Sequence, residues 1–326
     1  MRAHYEIKDG AVVECSPERG NIDVFSAPDE IEKSYLVETL GLDRHDLESA
    51  LDPDEISRVE FIPEHTYIVW KRPDNVTTDQ QVRFGVSTVG FVLRENKLTI
   101  ILGSGGIPFS DREFQKVSTL NGVILRFFLN IVRHYFGHLK AIKMINVDLQ
   151  AKLSTSMENK YFLQMFALSE SLIYYLNAVE ENASVLSKIR SNSAKLGLTE
   201  EQIEMLDDII IEHTQCLRQT QIFSSVLSGL MDARGNLINN NMNVLLKNLT
   251  LINVVFLPLN LLASIGGMSE YSALTQAFDW RISYSLFVLA MIVIGWMTWY
   301  GLTRRIDRTQ VPRRRRPRWA PKLRKG

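Results

Sequence analysis

Cysteine is nearly absent from this 326-residue chain: Cys15 and Cys216 are its two, 201 positions apart. That excludes a disulfide framework and a cysteine-based zinc site. The opening residues, MRAHYEIKDG, lack an apolar run, so no cleaved secretory signal is expected and the N-terminus is expected in the cytoplasm. Proline is missing between Pro108 and Pro258, which suits a series of long helices. No Ser/His/Asp or Cys/His arrangement has a supporting local motif, so a hydrolase would have no residues to carry it, and the chain is read as a non-enzyme. Charge, finally, is missing from Ile282 to Leu302, 21 residues in succession.

As a helix that last segment would span about 31 Å, close to the ~30 Å hydrocarbon core of a bilayer. Trp296, Trp299 and Tyr300 near its end, and Trp280 and Tyr284 near its start, fall where interfacial aromatics sit. A second apolar segment, Leu249 to Met268, precedes it and is interrupted by Asn253, Pro258 and Asn260. At about 100° per residue, Asn243, Leu246, Thr250, Asn253, Leu257, Asn260 and Ser264 share an arc of about 100°. Such a stripe marks a helix that lines something, or one whose polar groups glue it to a neighbouring helix. The short link from Ser269 to Arg281 makes the two segments a hairpin.

The net charge of zero, from 37 basic and 37 acidic residues, conceals a polarity. Thr303 to Gly326 hold 11 Lys/Arg against Asp307, whereas the preceding 302 residues hold 26 basic and 36 acidic ones. The positive-inside rule puts this tail in the cytoplasm, on the same side as the N-terminus. Anionic lipid is its expected partner at ~1 kcal/mol per basic residue near the surface, and nucleic acid is not expected at Arg313-Arg314-Arg315-Arg316.

Upstream, residues 1–110 read as a mixed α and β domain. Glu30 to Leu51 has helical periodicity, Tyr67 to Lys71 is strand-like, and Phe84 to Leu93 with Lys97 to Leu102 reads as a hairpin turning at Glu95-Asn96. Strand signals stop near Asp111. Residues 111–246 are expected to be long helices, with Thr199 capping the last, which runs on from about Glu200 into the first membrane span. The expected divisions are therefore 1–110, 111–246, a transmembrane hairpin over 247–302 (spans near 249–268 and 282–302) and a basic tail over 303–326. His134 and His138 lie four apart on a helix but have no acid or Cys nearby, so a surface helix is expected. Gly103 to Pro108 lacks the Lys-Ser/Thr ending of a phosphate loop and is read as a turn.

Two stretches give the chain a family resemblance. They are GLDRHDLESALDPDEISRVEF (Gly41 to Phe61) followed by YIVWKRP, and SGLMDARGNLINNNMNVLLKNLTLINVVFLPLNLLASIGGMSEY (Ser228 to Tyr271). They resemble the CorA family of divalent-cation channels, the group with two membrane helices and a Gly-x-Asn signature. The resemblance implies an α+β cytoplasmic domain, a long-helix funnel and a two-helix transmembrane hairpin, assembled as a homopentamer in the bacterial inner membrane. It implies a divalent cation, Mg²⁺ before others, as the transported or regulatory ion and no organic cofactor; zinc-transporting relatives such as ZntB share the architecture. Asn243, Leu246, Leu249, Asn253, Leu257 and Asn260 are expected to line the pore, with Gly267, Met268 and Ser269 at its outer mouth and Glu270 attracting cations there.

Two positions depart from the family pattern. Gly267-Met268-Ser269 stands where the family has Gly-Met-Asn. The family's Asn side chains hold the water shell of an arriving Mg²⁺, an ion that gives up water reluctantly; serine offers oxygen on a shorter arm, so a wider ring with a weaker hold is expected. At the family's regulatory site between subunits the stalk acid is kept as Asp232, while the partner position falls on Ser49 beside a retained Glu48. Asp208 is a further stalk acid able to help hold a cation, or else part of a solvated face. A scaffold that has lost transport and a less selective pore are the alternatives.

Overall fold

The computed structural model describes residues 1–74, 76, 82–106, 109, 114–155, 159–269, 273 and 279–310. They fall into two compact units, Met1–Asp232 and the residues from Ala233 onward. The first unit opens with strands β1 (Arg2–Lys8) and β2 (Ala11–Glu14), which pair antiparallel around Asp9-Gly10. Both turn residues have positive φ, 51° and 77°, the left-handed backbone that a two-residue hairpin turn requires and that Asp-Gly accepts. Next come β3 (Ile22–Ser26), helix α1 (Glu30–Ser34), helix α2 (Arg44–Leu51), β4 (Arg58–Phe61), β5 (Thr66–Pro73), β6 (Val86–Arg94) and β7 (Lys97–Leu102). The sheet order is β2-β1-β3-β7-β6-β5-β4. Every pairing is antiparallel except β3 with β7, where the chain leaves β3, crosses a face through α1 and α2, and returns through the β4-β5-β6 meander.

Both faces of this sheet are covered, and the strands alternate accordingly. Along β5, Ile68 and Trp70 enter the larger core while Tyr67 and Val69 enter the smaller one; along β7, Leu98, Ile100 and Leu102 face the first and Ile101 the second. The smaller core lies under α1 and α2. The periodicity of Glu30 to Leu51 suggested one helix, but a π-helical turn at Tyr35–Thr39 follows α1 and the chain then breaks at Gly41, whose φ is +60°. Helix α2 restarts with Asp43 accepting from the His45 N–H at 3.1 Å. Its close seat depends on Gly90 in β6: a Cβ there would lie 2.5 Å from Ala50 Cβ.

The larger core is filled by α3 (Leu120–Thr155), α4 (Asn159–Ser191) and the first part of α5 (Glu200–Gly266). Trp70 stacks on Phe128 of α3 at 4.1 Å between ring centroids. Asn182 of α4 stands in for a missing strand. β4 ends its pairing at Arg58–Val69, and beyond it the Lys71 N–H donates to Asn182 Oδ1 at 3.0 Å while Asn182 Nδ2 donates to the Lys71 carbonyl at 2.8 Å. Gln164 makes the same two-way link to the backbone of Val82. α5 begins with a reciprocal cap between Thr199 and Gln202, after Gly197 at φ +62°.

Asp23 of β3 is a buried carboxylate held by two cationic side chains and a histidine. Lys97 Nζ lies 2.9 Å away, Arg2 Nη2 3.3 Å, and His4 Nδ1 2.7 Å. Burial alone would push its pKa up, but the hydrogen bonds from Lys97 and His4 outweigh burial and hold it below the usual range. Asp23→Asn should therefore cost about 2 kcal/mol, below the 3–5 of a fully buried pair because Arg2 and Lys97 keep access to water. A lowered native pKa gives stability that is complete above the unfolded value of about 3.9 and lost as pH falls through the native one. The gap between wild type and variant in thermal unfolding should accordingly close in acid; a gap independent of pH would show that the Asp23 charge is not its source.

Candidate membrane-spanning site

The end of α5 and the helix α6 (Trp280–Gln310) are both long and apolar enough to cross a membrane, and no residue of the most apolar window in either is buried. That separates them from α3, whose Val123, Leu125, Phe128 and Val132 are core residues. A helix carrying Leu257 at 67% and Leu261 at 64% exposure needs an apolar surrounding or partner. Hydroxyls inside these spans bond back to their own helix: Thr250 donates to the Leu246 carbonyl and Thr298 to the Ile294 carbonyl, each at 2.8 Å. Asp279 starts α6 by accepting from the Arg281 N–H at 3.1 Å. At the other end Trp296 stacks on Tyr300 at 5.4 Å, and the Arg304 guanidinium lies 5.1 Å from the Tyr300 ring, an apolar-to-basic transition of interfacial type.

The two helices touch along one side of each. In the apolar part of α5 the half-buried positions are Leu251, Val255, Pro258, Leu259, Leu262 and Gly266, and on α6 they are Ser283, Phe287, Met291, Ile294, Gly295, Thr298 and Leu302. Glycines permit the approach: a Cβ on Gly295 would lie 3.4 Å from Leu259, and one on Gly266 only 2.5 Å from Phe287 Cζ. Close packing through small residues is the usual way membrane helices associate.

The expected lining residues Asn243, Leu246, Leu249, Asn253, Leu257 and Asn260 are all exposed in the single chain. Their stripe is centred about 120° round the helix from the Leu259–Ala263–Gly266 side that meets α6. Among the described residues Asn243, Asn253 and Asn260 make no side-chain hydrogen bond to α6, so the stripe does not glue the hairpin together. Beyond Gly266, the Gly267 N–H donates to the Ala263 carbonyl at 3.1 Å and the Met268 N–H to the Ile265 carbonyl at 3.1 Å, tying the Gly267-Met268-Ser269 turn to the last turn of α5. Glu270 lies outside the described residues, as does Arg313-Arg314-Arg315-Arg316 of the basic tail.

The candidate regulatory acids do not converge within one chain. Asp208 and Asp232 are exposed on α5, about 36 Å apart along its axis at 1.5 Å per residue. Glu48 sits on α2, across the sheet from α5, and lies 3.2 Å from Arg44. Ser49 is turned inward: it is 2% exposed and accepts from Arg58 Nη2 at 3.2 Å. Asp207, beside Asp208, is engaged by Arg190 through two contacts of 2.6 and 3.1 Å. Among the described residues no group of three or more His, Cys, Asp or Glu is placed to hold a metal ion.

The sequence suggested a surface helix at His134 and His138, but His138 is half buried. Its Nδ1 lies 2.5 Å from the Tyr175 hydroxyl and its ring meets Phe84 edge-on. Burial, with His134 beside it, pushes its pKa down to about 4. The helical spacing was legible; the Phe84 and Tyr175 rings that pack around it come from elements far away in the chain. Sequence reasoning also missed Phe287 as the partner of α5, for which the Gly266-Gly267 pair closing an apolar span was the available signal.

A family profile described as "CorA-like Mg2+ transporter protein" matches residues 22–304. The cobalt/magnesium transport protein CorA of Methanocaldococcus jannaschii is 25% identical over 321 residues, covering 89% of this chain and 98% of that protein. The protein of the same name from Thermotoga maritima is 24% identical over 260 residues, covering 76% and 72%. Among solved structures, the complete CorA magnesium transporter of Methanocaldococcus jannaschii matches with a TM-score of 0.74 at 20% identity, covering 93% of this chain and 98% of that one. The full-length CmaX protein matches with a TM-score of 0.64 at 13% identity, covering 93% and 96%. At these identities the structural likeness concerns the fold.

Proposed function

The chain belongs to the CorA-like Mg2+ transporter family, and from that premise we propose that it is a membrane channel passing divalent cations, Mg²⁺ first, down their electrochemical gradient. The observation that carries this reading is the exposed stripe of Asn243, Asn253 and Asn260, interleaved with leucines, on the side of α5 turned away from α6. Amides in a bilayer are costly unless they face water or a protein partner. Gathering copies of the chain around a common axis, five in our reading, puts that stripe on a water-filled path and leaves α6 toward lipid. Two spans return the chain to the side it came from, so the 1–110 domain, the helices of 111–246 and the basic tail lie together in the cytoplasm of a bacterial inner membrane, the tail against anionic lipid.

No covalent step is needed. The membrane potential supplies about 4.6 kcal/mol per 100 mV for a divalent ion entering, twice the ~2.3 for a single charge. Neutral amide oxygens with no Cys or His in the path suit a hydrated hard cation better than a first-shell zinc site. Leu246, Leu249 and Leu257 form apolar rings that close the path by dewetting. Gly267, Met268 and Ser269 form the outer mouth, and Glu270 adds negative charge beside it. Glu48 of one copy and Asp232 of the next remain the carboxylates for a regulatory cation, a weak pair because Glu48 is already engaged by Arg44.

Purified protein in liposomes should pass Mg²⁺ and Co²⁺ with a K⁺ control near background. A sealed vesicle under every cation and potential would replace transport by a scaffold role. Ser269→Asn should raise the preference for Mg²⁺ over K⁺ roughly tenfold, since the longer amide arm reaches the ion's water shell. Equal selectivity in the two proteins would move the filter away from the mouth.

A further inference from the structure

We propose that Phe287 of α6 is the positioning residue for the outer mouth: its ring seats on the bare Cα of Gly266 and fixes where the last turn of α5 stands. This inference rests on the transport reading above and adds to it a residue outside both the polar stripe and the Gly267-Met268-Ser269 turn.

Three observations combine. A Cβ at Gly266 would lie 2.5 Å from Phe287 Cζ and 3.0 Å from both Cε atoms, so the ring points edge-first into a space that only glycine leaves. The same contact borders an open crevice on the hairpin. A crevice of about 540 Å³ runs between Leu259 and Ala263 on α5 and Tyr284, Met291 and Trp296 on α6. At the edge of that crevice the Phe287 ring is what meets the last turn of α5. The mouth turn, in addition, is hydrogen-bonded to the braced segment through the Gly267 and Met268 N–H groups. A sideways shift of Gly266 is therefore carried to Ser269, three residues on. Repeated around an axis, that shift changes the width of the ring of serine hydroxyls that an arriving hydrated cation meets. Ring width matters here because the ion keeps its water and must be gripped through it.

The Phe287–Gly266 pair makes opposite demands on substitution. Gly266→Ala pushes methyl into ring and should cut Mg²⁺ flux about tenfold, since misplacements of about 1 Å at a working site cost that much or more. Adding Phe287→Ala to Gly266→Ala removes the clash and should restore most of the flux. Phe287→Ala alone should leave the mouth unbraced: Mg²⁺ still passes, but its preference over K⁺ falls several-fold, with Phe287→Leu in between. Reconstituted full-length variants with equal amounts of protein in liposomes, checked for the same assembly size before reconstitution, give these readouts. Normal wild-type flux with a Phe287→Ala variant of unchanged selectivity overturns this inference while leaving the transport reading intact. A double variant that passes no more Mg²⁺ than Gly266→Ala overturns it equally. A wild-type protein that passes no cation overturns both together.

Discussion

Asn260→Leu should abolish Mg²⁺ uptake, with a loss of at least about a hundredfold, equivalent to ~2.7 kcal/mol on the barrier to passage. Asn260 is exposed on α5, about 100° from the Leu259 position that meets α6, and makes no hydrogen bond to α6 among the described residues. Its removal therefore leaves the packing of the hairpin unchanged. What changes is the path: each copy loses one amide that can hydrogen-bond the water shell of an ion and gains a branched apolar group one turn from Leu257. A further apolar ring beside that of Leu257 lengthens the stretch from which water withdraws and leaves a hydrated divalent ion no polar group there to replace it. Asn260→Gln, which keeps the amide, should retain flux within a few-fold. The measurement is fluorescent-indicator uptake into liposomes alongside assembly size in detergent. Undiminished uptake by the leucine variant would place Asn260 off the conduction path and with it the stripe to which it belongs.

The second large effect is on the stability of the sheet-containing unit. Asn182→Leu should destabilise that unit by about 4 kcal/mol, because the Lys71 N–H and carbonyl, both buried, each lose their partner at ~1–3 kcal/mol apiece and the Ser57 hydroxyl loses its acceptor as well. Asn182 is fully buried and accepts from Ser57 Oγ at 2.9 Å, so water has no route in to compensate. Gln164→Ala removes a link of the same shape at the half-exposed Val82 and should cost about 1 kcal/mol, since water can replace the side chain. Thermal unfolding in detergent with amide exchange along β5 distinguishes the two. Comparable losses for both variants would mean that burial of the bonded groups does not set the cost.

The two candidate membrane spans were legible in the sequence because their signals are local. Twenty-one uncharged residues need no partner to be read as a span, and an angular stripe follows from spacing alone. The strand pair β6–β7 and the Thr199 helix start were legible for the same reason. The β1–β2 hairpin was less so, although Asp9-Gly10 carries a strong turn signal, because β1 is half buried along most of its length and its apolar alternation is weak. Helix α2 was read as continuous with α1 since Leu36, Leu40 and Leu47 keep helical spacing across the break; the Gly41 left-handed turn interrupts the backbone without interrupting that pattern.

What the sequence by itself determined is the class of architecture: two helices apolar enough to span a membrane, the first bearing amides and continuing a helix that runs from about Glu200 of an α and β body. Those features arise from composition and period, which each segment holds on its own. Only the tertiary structure decided that β3 and β7 lie parallel, that Asn182 replaces a strand, that Ser49 faces Arg58 instead of solvent, and that Phe287 occupies the hollow of Gly266. Each of these joins residues at least 9 and as many as 111 positions apart, and a contact between distant residues is set by how whole elements dock, which no local spacing records.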